Sequence, residues 1–179
     1  MSLLEGQTRM YNRHAIAATV IGELTVVAAD DALIGIYYPQ HWVKPERATL
    51  GDEVDLESDP LLVEVVRQLE EYFAGARTVF EIRAVAHGDA FQERVWALLR
   101  QIPFGETTTY GELAETLGDK SLARMVGRAV GHNPLSIIVP CHRVVGKNGT
   151  LTGYAGGLER KRFLLDLEEP AAVKAAKLF

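Results

Sequence analysis

The stretch "TYGELAETLGDKSLARMVGRAVGHNP", residues 109–134, contains two helix patterns separated by a tight turn. Thr109 and Glu112 have the spacing of a capping box, and Gly118 is suited to end the first helix. The second helix is predicted to begin at Ser121 and to end near "GHNP". Two short helices joined by a tight turn indicate a helix-turn-helix, although the pattern alone is weakly specific.

The second of these helices has two different faces. At about 100° per residue, apolar side chains fall on one side, while basic residues and glycines fall on the other. The apolar set is Leu122, Val126, Ala129 and Val130, and the opposite set is Lys120, Arg124, Gly127, Arg128 and Gly131. A helical glycine costs about 1 kcal/mol relative to alanine, so two glycines on one face indicate close approach of another surface. DNA would fit, and helix packing against the glycines is the alternative.

The charge is distributed unevenly along the chain. The protein of 179 residues has a net charge of -5, but the segment 120–162 has eight basic residues and one acidic residue, giving +7. The rest of the chain therefore carries -12. A basic segment on an acidic body favours contact with a polyanion, and an ordinary solvated face is the alternative.

The N-terminal half predicts a mixture of strands and one helix. Residues 14–38 alternate or run apolar with breaks at Gly22 and at Asp30, which predicts a three-stranded meander. After a polar loop, "DPLLVEVVRQLEEYFAG", residues 59–75, predicts a helix with an aspartate cap, a proline in the first turn and a terminal glycine. "VFEIRAV", residues 79–85, alternates and predicts one more strand.

A domain boundary is expected near His87, separating residues 1–87 from residues 88–179. The apolar fraction of 47% is enough to form hydrophobic cores in a chain of this length. The second part begins with a helix capped by Asp89, which ends at the "PFGE" turn.

The segment "IIVPCHRVVG", residues 137–146, contains the only cysteine. "SIIVP" predicts a short buried strand that ends at Cys141, and "GKNG" predicts a hairpin turn. A "GYAGG" loop then precedes a last helix over residues 158–168. Helices followed by a hairpin have the outline of a winged helix.

The single cysteine excludes an internal disulfide and a multi-cysteine zinc site, which leaves an inert buried side chain or a reactive thiol. His142 is adjacent, and in an extended segment the two side chains point in different directions. A water-bridged relay is therefore favoured over a direct Cys–His bond, with a carboxylate near the end of the last helix as an orienting partner.

Several classes of protein are disfavoured. No apolar stretch of membrane-spanning length and no signal segment is apparent, so we expect a cytoplasmic protein with no membrane partner. Neither a glycine-rich nucleotide fingerprint nor another cofactor motif is apparent, so we expect no cofactor. No metal is assigned to the remaining histidines, His14, His41, His87 and His132.

"PCHRVVG" with "GYAGGLERKRFLL" after it, and "TYGELA", "ARMVG" and "GHNP" before it, resembles the O6-alkylguanine-DNA alkyltransferases, or methylated-DNA–protein-cysteine methyltransferases. The resemblance is close over residues 91–168 and weaker before them. It implies an α/β (α+β) protein with an N-terminal ribonuclease-H-like scaffold domain and a C-terminal winged-helix (helix-turn-helix) domain. It also implies a DNA repair methyltransferase that flips O6-alkylguanine, chiefly O6-methylguanine, out of duplex DNA. The alkyl group is then transferred irreversibly to the protein's own cysteine, in a single turnover.

The resemblance implies five catalytic residues. Cys141 would accept the alkyl group, His142 would act as its base through a water, and Glu168 would orient the histidine. Asn133 would hold the active-site turn. Tyr110 would assist flipping and donate a proton to the departing guanine.

The resemblance also implies substrate-binding residues. Arg124 would enter the base stack in place of the extruded guanine, and the carbonyls of Cys141 and Val144 would read the guanine amino group. Pocket and helix-face residues complete the set: Tyr154, Ala155, Gly127 and Arg128. The partner is double-stranded DNA, and we expect a monomer in solution that can cluster on DNA.

Three residues depart from the family pattern. Met125 stands where alanine is common, Ser136 replaces a proline of some pockets, and Ala155 replaces a serine of some members, which leaves the preferred alkyl size open. No cysteine precedes Cys141, so the N-terminal zinc ligands of some relatives are missing and we expect no structural metal.

Two other functions remain open. An alkyltransferase-like module would bind the lesion without repairing it, but that class lacks the cysteine. A cysteine hydrolase would need an oxyanion hole and would leave the basic helix unexplained.

Overall fold

A computed structural model describes residues 11–177 of the chain. The strands are β1 (Asn12–Thr19), β2 (Gly22–Ala29), β3 (Ala32–Tyr37), β4 (Asp52–Glu53), β5 (Thr108–Thr109) and β6 (Val144–Val145). The helices are α1 (Pro60–Phe73), α2 (Ala90–Leu99), α3 (Tyr110–Thr116), α4 (Ala123–Gly131), α5 (Leu158–Glu168) and α6 (Ala171–Ala176). The predicted mixed α and β fold class, with a sheet in the N-terminal half and mainly helices in the C-terminal half, is confirmed.

The N-terminal sheet has the strand order β3-β2-β1-β4. The predicted meander is confirmed, because β1 pairs antiparallel with β2 and β2 pairs antiparallel with β3. Positive φ angles at Gly22 and Asp30 form the two tight turns where the sequence breaks were noted. The sequence did not indicate β4, a two-residue strand that pairs in parallel with β1.

Helix α1 follows the sequence pattern closely. Asp59 caps it by accepting hydrogen bonds from the backbone nitrogens of Leu61 and Leu62, both at 3.0 Å. Its buried face includes Leu62, Val65 and Leu69, all with no exposed surface. Full burial of such side chains contributes roughly 1.5–3 kcal/mol each, which holds the helix against the sheet.

The strand predicted at residues 79–85 is wrong. The segment forms a single bridge between Leu33 and Ala84. The alternation of apolar and polar residues in this segment still matches the side chains that face inward, because Phe80, Ile82 and Ala84 pack against the core. The Gln68 side chain takes the place of a neighbouring strand by bonding both the N–H and the carbonyl of Glu81, at 2.8 and 3.3 Å.

The helix-turn-helix prediction is confirmed in its elements and in its faces. Thr109 and Glu112 form the expected capping box at the start of α3, and a short 3-10 turn over Lys120–Leu122 leads into α4. On α4, Val126 and Ala129 are buried, while Arg124 is exposed. The basic face of α4 therefore points to solvent.

The predicted strand over residues 136–140 is also wrong, although the segment is buried. The N–H of Ile138 bonds the carbonyl of Ser136 at 2.9 Å, and the N–H of Cys141 bonds the carbonyl of Val139 at 2.8 Å. Each bond closes a three-residue γ-turn, so the segment is folded rather than extended. Ile137, at the centre of the first turn, has a φ of 74°, a strained value for a β-branched residue.

The predicted hairpin after β6 is reduced to its turn. Asn148 and Gly149 have the positive φ angles expected of "GKNG", but no second strand follows, and β6 pairs in parallel with β5 instead. The ammonium of Lys161 bonds the carbonyls of Val144 and Thr152, at 2.6 and 2.9 Å. One buried side chain therefore joins the two segments that a hairpin would have paired.

A continuous hydrophobic core includes residues from both halves of the chain. The N–H of Ile36 on β3, the edge strand of the sheet, donates to the carbonyl of Pro134 at 2.8 Å. Next to it, the hydroxyls of Tyr38 and Tyr154 lie 2.8 Å apart. None of the helices in residues 11–177 combines the length and apolarity needed to cross a bilayer.

Candidate active site

Cys141 is a buried free thiol at the start of a 3-10 turn, Cys141–Arg143, with 5% of its surface exposed. Burial raises its pKa, because the charged thiolate is poorly solvated there. The Asn133 side chain and the positive charge of Lys161 act in the opposite direction. Cys141 therefore needs a base to become nucleophilic at neutral pH, and its neighbours already favour the thiolate in part.

Asn133 holds the backbone that carries the cysteine. Its Nδ2 donates to the carbonyl of Val139 at 2.8 Å, and its Oδ1 accepts from the N–H of Leu135 at 3.0 Å. The two bonds bracket the first γ-turn and occupy backbone groups that a strand would have used. Asn133 thus stabilises the strained loop that positions Cys141.

His142 is fully buried behind the cysteine. Its Nε2 lies 2.8 Å from Oε1 of Glu168, which is the carboxylate expected from the sequence. Its Nδ1 has no hydrogen-bond partner among the described residues. Burial lowers the pKa of His142, opposed by the hydrogen bond and charge of Glu168, so the ring is neutral with Nδ1 available to accept a proton.

Glu168 at the end of α5 is surrounded by donors that sequence reasoning missed. Arg143 donates from Nε to Oε2 and from Nη2 to Oε1, both at 2.8 Å, and Tyr72 donates to Oε1 at 2.6 Å. Burial alone would raise the pKa of Glu168, but the bonds from His142 and Arg143 outweigh it and lower the pKa to about 2. The carboxylate is therefore ionised at neutral pH.

Arg143 and Lys161 were counted among the basic residues of the segment 120–162, but the structure buries both. They therefore do not contribute to a charged surface. Arg143 is 7% exposed and Lys161 is 0% exposed. Burial lowers the pKa of Lys161 to about 8, and the nearby Cys141 opposes the shift. The available signal was the position of Arg143 inside an apolar run, since a buried cation must be paired.

Two of the predicted pocket residues, Tyr110 and Tyr154, lie within electrostatic reach of the thiol. Tyr154 and Ala155 are buried, and the carbonyl of Val144 accepts from Lys161. The Tyr110 ring lies next to Gly127. A Cβ added at Gly127 would be 3.7 Å from the nearest ring atom, an ordinary van der Waals distance. Burial raises the Tyr110 pKa, so its phenol stays protonated and able to donate.

An open apolar groove of about 630 Å³ adjoins this pocket. Tyr110 and Thr152 form its inner side, and Arg124 and Arg128 of α4 line it on the solvent side. The exposed Trp42 also lines the groove, and an added Cβ on Gly131 would lie 3.7 Å from its ring. Trp42 was missed because it lies far away in the sequence, in the loop after β3.

Two family models match the chain. The 6-O-methylguanine DNA methyltransferase ribonuclease-like domain matches residues 12–84, and the DNA binding domain of the same family matches residues 90–170. Together they include the N-terminal sheet and the candidate site.

Individual relatives agree with these matches. A methylated-DNA–protein-cysteine methyltransferase of Mycolicibacterium paratuberculosis is 44% identical, covering 89% of this chain and 93% of the relative. A constitutive one of Bacillus subtilis is 40% identical, covering 88% of this chain and 95% of the relative. The crystal structure of Mycobacterium tuberculosis OGT in complex with DNA superposes with a TM-score of 0.79 at 43% identity, covering 87% of this chain and 92% of that chain. The two family matches and these relatives agree, and the chain belongs to the methylated-DNA–protein-cysteine methyltransferase family.

Proposed function

We propose that this protein repairs DNA by transferring the alkyl group of O6-alkylguanine, chiefly O6-methylguanine, to Cys141. The observation that carries the proposal is a single buried thiol next to a neutral histidine whose Nε2 is held by a buried glutamate. The relatives are named for this reaction. The proposal extends their activity to this chain because His142 directly follows Cys141 and is bonded to Glu168.

The proposed chemistry begins with the thiol. The proton of Cys141 passes through a water to Nδ1 of His142, and Glu168 stabilises the resulting imidazolium. The thiolate attacks the alkyl carbon, a C–S bond forms, and the bond between that carbon and guanine O6 breaks. Tyr110 gives its proton to the departing guanine, because a neutral base is a better leaving group than its anion.

The proposed DNA surface is the exposed face of α4 together with the apolar groove. Arg124 enters the stack where the target guanine leaves it, and Arg128 contacts phosphate. The Tyr110 ring lies next to Gly127 of α4, at a distance where even an added Cβ would make only an ordinary contact. The carbonyls of Cys141 and Val144 accept from the guanine amino group, and Tyr154 and Ala155 line the pocket.

We propose that each molecule reacts once, since a thioether is not exchanged by thiols or hydrolysed under mild conditions and the chain has no second cysteine. We further propose a monomer in solution that clusters on DNA. We also propose a cytoplasmic location. A boundary near His87 is supported by the gap between the two family matches.

Peptide mass spectrometry after incubation with O6-methylguanine duplex tests the function. We expect a stable methyl group on Cys141 and none on Cys141→Ala, which should still bind the duplex because phosphate contacts provide most of the affinity. Demethylated DNA without an adduct would support a hydrolase, and binding with unchanged DNA would support a lesion-binding module. Either result would contradict the proposal.

A further inference from the structure

Tyr72 lies on α1, in the half of the chain for which no predicted site residue was named, yet its hydroxyl bonds Glu168 at 2.6 Å. The side chain is 0% exposed. Its ring is packed against Phe80 and Phe104, with centroids 5.3 and 6.2 Å apart. The packing fixes the ring, so the hydroxyl is held against the carboxylate.

The Glu168 oxygen that binds Tyr72 is also the oxygen that binds His142. Oε1 receives bonds from Tyr72 at 2.6 Å and from His142 Nε2 and Arg143 Nη2 at 2.8 Å each. A carboxylate oxygen has about two lone-pair sites, so the three donors compete for its negative charge. Each additional donor leaves less charge to stabilise a proton on His142.

We propose that Tyr72 tunes the basicity of His142, and with it the fraction of Cys141 present as thiolate, by withdrawing charge from Oε1 of Glu168. The inference rests on the relay of the proposed function. Tyr72 is not required to orient the carboxylate, because Arg143 already bonds both of its oxygens. Its role is therefore electrostatic, and through it the N-terminal half of the chain influences the reaction by way of Glu168 and His142.

Several other groups face the relay from the surrounding elements. Lys161 of α5 acts on both Cys141 and His142, and Arg143 acts on His142 from the same 3-10 turn. Tyr38, Tyr110 and Tyr154 lie within electrostatic reach of Cys141. Tyr72→Phe leaves all of these groups in place and keeps the aromatic ring, so it removes one hydrogen bond from the network.

The test is the rate at which iodoacetamide alkylates the full-length protein across the pH range. The reagent forms a C–S bond with release of iodide, and the chain has one cysteine, so the rate of S-alkylation, followed by peptide mass spectrometry, reports the Cys141 thiolate. With a stronger base at His142, Tyr72→Phe should react about threefold faster than wild type near about pH 7. At alkaline pH, above the raised pKa of Cys141, the two rates should converge, because hydroxide then ionises the thiol directly.

Phe73→Leu provides the matched control, since Phe73 packs edge-on against Tyr72 without touching Glu168. It should leave the ratio of the two rates at neutral and alkaline pH unchanged. An unchanged or slower neutral rate in Tyr72→Phe, or an equal change at both pH values, would overturn the inference. Methyl transfer from DNA is measured separately, so a shifted iodoacetamide profile without methyl transfer would reject the proposed function and keep the role of Tyr72.

Discussion

Two pairs of basic residues that look alike in the sequence behave oppositely in the structure. Arg124 and Arg128 of α4 are exposed, and neither forms an ion pair with a carboxylate of residues 11–177. Arg143 and Lys161 are buried, and their donors are used by Glu168 and by backbone carbonyls. A cation that faces solvent is free to meet a phosphate, whereas a buried cation must already be satisfied. The local net charge therefore overstates the surface available to DNA.

The largest expected effect of this difference is on stability. Arg143→Ala should lower the free energy of unfolding by about 3 kcal/mol, because it removes three hydrogen bonds and leaves Glu168 buried with fewer donors. Arg128→Ala is the matched exposed control and should stay within about 0.5 kcal/mol of wild type. Denaturant unfolding measures both, and equal losses would contradict the distinction between the two pairs.

The hydrogen bonds around Glu168 also make the free energy of unfolding depend on pH. The pKa of Glu168 is lowered from its usual 4.5 to about 2 in the folded protein. The stability it contributes is therefore present above about pH 4.5 and is lost as the pH falls toward about 2. In Arg143→Ala this pH-dependent loss should be smaller and complete at a higher pH, because the folded-state pKa moves back toward the unfolded one.

The next effect is on the rate of methyl transfer. It concerns the relay of Cys141, His142 and Glu168, whose carboxylate is bonded by Arg143. His142→Ala or Glu168→Gln should slow methyl transfer at neutral pH by about 10²-fold, and raising the pH should restore part of the rate. The sign follows from Cys141, whose pKa is raised by burial, so without its base the thiol ionises only in alkaline solution. Single-turnover rates across the pH range measure this. A flat pH response in both variants would remove the relay from the mechanism.

A smaller effect is expected at the exposed pair. Arg124→Ala should slow repair of duplex DNA about tenfold more than it slows reaction with the free alkylguanine base, because only the duplex requires flipping. Competition assays with the two substrates give the ratio. Equal losses on both would argue against insertion of Arg124 into the base stack.

The smallest expected effect on the repair rate comes from Met125, the residue next to Arg124. Met125 is half exposed on α4, where it can cover the helix flank without closing the pocket. We expect Met125→Ala to change the repair rate of methylated duplex less than twofold, about the effect of an ordinary surface substitution. A larger change would mean that this departure from the family pattern alters the groove.

The sequence predicted the elements whose signals are local. Caps and apolar spacing located α1, α3 and α4 and the three-stranded meander within a few residues. The failures occur where distant side chains replace backbone pairing. Gln68 takes the bonds of the strand expected at residues 79–85, and Lys161 replaces the hairpin after β6.

The candidate site shows the same division. The sequence predicted Cys141, His142 and Glu168 together, and the structure brings the last two to 2.8 Å. Tyr72, Lys161 and Arg143 were missed, because each acts through a tertiary contact that periodicity does not encode. The family resemblance locates the reacting groups, and the folded core determines which neighbours tune them.

The most direct test of the account is the number of methyl groups each molecule can accept. Full-length protein mixed with excess duplex carrying labelled O6-methylguanine should give one burst that ends at about one methyl per chain, with all label on Cys141. Loss of methyl from DNA should then stop, because the thioether persists and the chain has no second thiol. Continued demethylation beyond one equivalent, or label on another residue, would contradict single-use transfer to Cys141.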